Sequence, residues 1–197
     1  MNLLTGDATA VPGFTSMPFD VGKAVSIFHL FNAMGVVYGL GSKAADIHAP
    51  TDADFRFLPG PNKPELSIDC SGFSRLLTFK CSGADAGPNA PGGGVVLPDG
   101  SVNQNDWLAA HGFKHDPIAA PESPAYLYGL DRRFVYECFC RAGTRGEHIG
   151  HVWLCVFWLG RWWTLESCGG VGPTMRPHDT PILAHIVTDV YPIASAL

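Results

Sequence analysis

The chain has 197 residues, a length suited to one domain, and its 46% hydrophobic and 16% charged residues exclude global disorder, since charged residues usually make up about 25%. A formal charge of −5 with no basic run longer than Arg132-Arg133 argues against sequence-independent binding of nucleic acid. Glycine (23) and proline (16) supply about one residue in five, which excludes a helical bundle or coiled coil and gives loops a large share.

In chain order, residues 1–20 are expected to be irregular. Met1 to Pro12 has no positive residue before its short apolar start, so no secretory signal is read and synthesis in the cytoplasm is the expectation. Val21, Val25, Phe28, Leu30-Phe31 and Met34 recur at near-helical spacing and predict a helix ending around Gly35. A loop is expected from Tyr38-Gly39-Leu40-Gly41-Ser42 to about Ser67. Cys70, Phe73 and Leu76-Leu77 predict a second helix over 70–80, with Lys80 in its last turn and Asp69 or Ser67 as cap. Residues 82–124 read as a loop-rich insertion broken by a short helix from Asn103 to Ala110. Its triple glycine, Gly92 to Gly94, is not followed by Lys-Ser/Thr and is not read as a phosphate cradle.

The C-terminal half is strand-like, with Arg133–Arg141, His151–Leu159, Trp162–Ser167 after a Gly160-Arg161 turn, and Ile182–Tyr191. Gly169 to Pro173 reads as a plain turn. Helices followed by a meander predict a single α+β domain over 1–197 with an antiparallel sheet. No stretch reaches ~18 consecutive apolar residues, so no membrane span is expected. Six cysteines, at 70, 81, 138, 140, 155 and 168, are too sparse for a disulfide scaffold. Cys138 and Cys140 are expected on opposite faces of their strand and therefore not bonded to each other. No C-x2-C pair occurs, and no metal or other cofactor is expected.

Two places carry chemistry. In Ser67-Ile68-Asp69-Cys70-Ser71-Gly72-Phe73-Ser74 a cysteine opens an apolar-faced helix. Free N–H groups at a helix start favour thiolate over thiol, and the thiolate is the nucleophile. A buried, inert cysteine is the plain alternative. In Gly150-His151-Val152-Trp153-Leu154 a histidine opens an apolar strand, where it can accept a thiol proton or serve the structure alone.

DCSGF, the upstream YGLGS containing Tyr38, and the downstream GHVWL together resemble the NlpC-type, papain-like cysteine peptidases, in which the corresponding motifs follow the same order. The resemblance covers roughly 24–80 and 148–173. It implies a papain-like α+β fold, with the cysteine helix packed on an antiparallel sheet that carries the histidine. It implies hydrolysis of an amide bond in peptidoglycan stem peptides, often between D-glutamate and a diamino acid, with Cys70 as nucleophile and His151 as base and then acid. By the same resemblance Tyr38 helps hold the oxyanion with the Cys70 N–H. Asp69 and Ser71 would hold a free amine of the stem peptide, Asp69 being equally readable as a helix cap. Glu166, in Trp163-Thr164-Leu165-Glu166-Ser167, matches the third catalytic position, where a carboxylate orients the imidazole. A two-residue turn at Gly160-Arg161 would pair 155 with 166. That register sets Glu166 four residues from the level of His151, roughly 13 Å, so a bulge or wider connection is expected if the two meet.

The chain departs from the family in lacking the usual tryptophan in YGLGS and in its long segments 39–67 and 81–147. The five tryptophans read first as core and second as groove lining. The partner implied is a stem peptide, with an inhibitor or delivery protein as a further one, and with action on a cell wall after delivery by a phage or secretion route. Two other classes stay open, an acyltransferase or amidase on the same scaffold and a non-catalytic structural or binding module of a virion.

Overall fold

Each of the first two helices begins at an aspartate. In the computed structural model, which describes residues 17–44, 57–58, 66–83, 96–111, 113, 130–142, 148–178 and 187–197, α1 (Val21–Met34) starts where Asp20 accepts the Lys23 backbone N–H. It stops at Gly35, whose φ of 73° ends the helix in the left-handed region. The second helix, α2 (Cys70–Cys81), starts at Asp69, whose side chain accepts the Gly72 N–H. The third, α3 (Ser101–Ala110), begins two residues before the expected start and has no side-chain cap.

Helices precede most of the sheet, so the chain is α+β. The main sheet contains β1 (Pro18–Phe19), β6 (Phe134–Ala142), β7 (His148–Trp158), β8 (Arg161–Cys168), β9 (Gly172–Pro177) and β10 (Val187–Ala196). Its order is β1-β10-β6-β7-β8-β9, antiparallel throughout except for the β1–β10 edge. Residues 1–20 are therefore not wholly irregular, because Pro18 and Phe19 add an edge strand. The run Gly169 to Pro173 is likewise not only a turn, since β9 begins at Gly172.

Two small pairs lie in the segment expected to be loop. They are β2 (Val37–Tyr38) parallel to β5 (Ser67–Ile68), and β3 (Lys43–Ala44) antiparallel to β4 (Phe57–Leu58). Two-residue strands carry no period by which to recognise them. Residues 45–56 and 59–65 of that segment, most of 82–124 outside α3, and 182–186 of the last expected strand lie outside the described residues.

Strand alternation sorts the sheet's two faces. Val135 and Phe139 of β6, with Val152, Leu154 and Val156 of β7, pack with Phe31, Phe73, Leu76 and Leu77 of the helices in the main core. Full burial of side chains such as these contributes about 1.5–3 kcal/mol each. Tyr136, Cys138 and Cys140 lie on the other face with Trp153, Cys155 and Val190. Cys138 and Cys140 thus share a face, contrary to expectation, because residues two apart in a strand point the same way. All six cysteines are free.

The β7–β8 hairpin turns at Leu159-Gly160, not Gly160-Arg161, with φ of 48° and 84° and Trp158 paired to Arg161. Positive φ at both central residues matches the right-handed twist of the flanking strands. An exposed leucine in that region is strained, so Leu159→Asn is expected to stabilise the fold by about 1 kcal/mol, measurable by urea denaturation.

Pairing between β7 and β8 runs from Trp158–Arg161 to Leu154–Leu165. Beyond that point β7 stays with β6 as far as His148, while β8 stays with β9 as far as Cys168. The start of α2 is tied to this opening, because the Ser167 hydroxyl donates to the Ile68 carbonyl at 2.7 Å. Gly172 makes a second close approach, since a Cβ there would lie 2.9 Å from the Val36 carbonyl oxygen and 3.0 Å from Val37 backbone atoms, at a φ of 89°. Gly172→Ala is expected to cost about 2–4 kcal/mol, read as a lower denaturation midpoint.

Candidate active site

The turn that opens α2 is built on Asp69. Its Oδ1 accepts the Gly72 N–H at 2.7 Å and the Ser71 hydroxyl at 3.0 Å, and its Oδ2 accepts the Gly41 N–H at 3.0 Å and the Lys43 ammonium. The cap reading of Asp69 is the one its geometry realises. The YGLGS and DCSGF segments lie against each other, with the Asp69 N–H on the Ser42 carbonyl at 2.9 Å. Gly39 is needed for this approach, because a Cβ there would stand 2.6 Å from Ser67 Oγ.

Cys70 is the first residue of α2. Its thiol is near enough to the His151 ring to raise that ring's hold on its proton, and His151 Nε2 lies 2.7 Å from Glu166 Oε2. With Nε2 engaged by the carboxylate, Nδ1 is the ring nitrogen left for the thiol. The His151 ring also stacks on Trp153, with centroids 5.7 Å apart at 27°.

The turn at Leu159-Gly160 decides the reach of Glu166. Continued one step, the observed register sets Glu166 opposite Trp153, so His151 is its diagonal neighbour two residues on. Diagonal pairs lie about 7–8 Å apart at the backbone, within reach of long side chains. The expected separation of four residues is corrected to two without any bulge between these strands. Glu166 is 1% exposed, and its Oε1 has no hydrogen-bond partner among the described residues.

Burial works against a charged His151 ring, but hydrogen bonds with Cys70 and Glu166 and their negative charges prevail, pushing the imidazole up to about 9. The ring therefore holds its second proton at neutral pH. Tyr38 is placed beside Cys70 by β2, whose register sets it opposite Ile68. Burial first, then the charges of Cys70, Asp69 and Cys168, push its phenol up to about 12, so it remains a hydrogen-bond donor.

Two further thiols border the site. Cys140 is the cross-strand partner of His151, and burial followed by the charges of Cys70 and Glu166 pushes it up to about 11. Cys168 is raised by burial and by Glu166, with the Arg176 guanidinium opposing. Both stay protonated at neutral pH and are poor rivals to a nucleophile.

Of the residues singled out in the sequence, Cys70, His151, Glu166 and Tyr38 converge, and Asp69 and Ser71 form the turn beneath them. No local pattern in the sequence marks Lys43, because its contacts reach across 26 and 28 residues of chain. Among the described residues no group of three or more His, Cys, Asp or Glu is arranged to hold a metal ion, and no helix is long and apolar enough to cross a membrane. A thiol, an imidazole and a buried carboxylate in sequence can form and break an acyl-thioester. No protein-family model matches the chain, and no curated protein matches it.

Proposed function

We propose that the chain is a papain-like thiol hydrolase that cleaves an amide bond in peptidoglycan stem peptides, acting on the cell wall after delivery. The observation that carries the hydrolase reading is His151, held at Nε2 by a buried carboxylate and acted on by a neighbouring cysteine that opens a helix. The stem-peptide substrate, with the bond between D-glutamate and a diamino acid as first choice, is supported by the resemblance of YGLGS, DCSGF and GHVWL to cell-wall peptidases.

The Cys70 sulfur, as thiolate beside protonated His151, attacks the carbonyl carbon, and the oxyanion forms against the Cys70 backbone N–H and the Tyr38 hydroxyl. His151, carrying its proton at neutral pH, delivers it to the leaving amine as the C–N bond breaks. Water, deprotonated by the now neutral imidazole, then opens the thioester, which releases the acid and returns Cys70 to thiolate beside protonated His151. Glu166 holds the ring and its positive charge throughout.

The test is digestion of purified peptidoglycan by wild type and Cys70→Ala, with products identified by mass. Release of stem-peptide fragments by wild type alone supports the reading. Identical product profiles from the two proteins sink it.

A further inference from the structure

The side chain that completes the nucleophile turn comes from outside it. Lys43 Nζ bonds Asp69 Oδ2, donates to Ser71 Oγ at 2.7 Å and lies 3.5 Å from Asp99 Oδ1. Its side chain is only 16% exposed, against 6% for Asp69 and 60% for Asp99. Gly72 makes room for its stem, since a Cβ at that position would stand 2.9 Å from Lys43 Cδ. A carboxylate offers about four acceptor sites. On Asp69 they are taken by the Gly72 N–H, the Ser71 hydroxyl, the Gly41 N–H and the Lys43 ammonium.

We propose that Lys43 is a positioning residue for Cys70, and that its ammonium closes the Asp69–Ser71 acceptor pair to any ammonium group of a substrate. The substrate segment lying against this turn is accordingly one whose amine is acylated or absent. The proposal rests on the reading of Cys70 as nucleophile and narrows the substrate. Two physical effects follow from the placement. The ammonium fixes the capping carboxylate and thereby the first turn of α2. It also neutralises a nearly buried negative charge that would otherwise oppose thiolate formation next to it. An Asp69 carboxylate left alone would be a vacant cation site beside the nucleophile.

The experiment is alkylation of Cys70 by iodoacetamide, which needs no substrate, in wild type, Lys43→Ala and Lys43→Met. Lys43→Ala is expected to slow alkylation at neutral pH about tenfold and to move the rate profile toward higher pH, one pH unit being that factor. n-Propylammonium replaces the atoms removed and is expected to restore the rate several-fold. Tetramethylammonium, equally charged but without N–H donors, is expected not to. Unchanged alkylation in both variants overturns the positioning role. So does a slow Lys43→Ala protein that keeps its circular dichroism spectrum and is not rescued by n-propylammonium. If Lys43→Ala does not fold, the pH profile of Lys43→Met, whose apolar stem refills the space, decides the matter.

Substrate choice is read with paired stem peptides bearing a free or an acetylated amine. Wild type is expected to cleave the acetylated form at least as fast, and Lys43→Ala to shift toward the free amine. A wild type that requires the free amine overturns the closed pocket. If no peptide is cleaved while alkylation still responds to Lys43 and n-propylammonium, the hydrolase reading fails and the positioning role of Lys43 stands.

Discussion

His151→Ala is expected to lower kcat/KM for stem-peptide hydrolysis by about 10³-fold, and Glu166→Gln by about 10²-fold. The first change removes the group that moves the proton. The second keeps the shape of the side chain and removes only its charge. The two are distinguished by pH. In the proposed mechanism the charged imidazole, pushed up to about 9, is the acid for the leaving amine, so the alkaline limb of kcat/KM in wild type should fall through about that value. Part of the elevation comes from the Glu166 carboxylate 2.7 Å away, and Glu166→Gln should move the limb to lower pH. A Glu166→Gln profile that superimposes on wild type would show that the carboxylate does not stabilise the imidazolium.

Glu137→Gln is expected to stabilise the protein at alkaline pH by several kcal/mol and to change little at pH 4. Glu137 points from β6 into the main core, is fully buried, and accepts the Ser74 hydroxyl at 2.5 Å. Its other oxygen has no partner among the described residues. Burial pushes the carboxyl up to about 8, with the Ser74 hydrogen bond opposing. The native state thus holds a proton that the unfolded chain releases in the ordinary carboxylate range. Stability is complete below that range and declines as pH rises toward about 8, after which the loss is constant. His151, also raised in the native state, contributes with the same sign. The informative measurement is therefore the difference between wild type and Glu137→Gln in urea-derived stability across pH 4 to 9. A difference that stays flat across this range would mean that Glu137 is not protonated in the native core.

Glu137 and Glu166 show how unevenly the site could be read from the chain. Both sit in strand-like runs, and alternation gives each a face. Nothing local separates a carboxylate buried against a helix from one aimed at an imidazole. The resemblance alone marks Glu166, and a turn on Gly160-Arg161 would set it two residues further from His151 than the structure does. The chain instead turns on Leu159-Gly160, putting a leucine where glycine, asparagine or aspartate is favoured. Strand twist overrode local preference there.

Local chemistry determined α1 and α2 almost to the residue. An aspartate at each start and an apolar stripe of helical period are short-range signals, and Gly35 at the end of α1 is another. They also placed Cys70 at a helix start and His151 on a strand. The tertiary structure alone decided that these residues meet. Cys70 and His151 are 81 positions apart in numbering, and what joins them is the parting of β7 from β8 at Leu154 and Leu165, with Ser167 anchoring Ile68 at the opening. It alone brought Lys43 onto Asp69, through paired strands too short to carry a period. Helix caps act within four residues and leave a mark on the sequence, whereas strand register and side-chain pairing across tens of residues are settled only when the whole core packs.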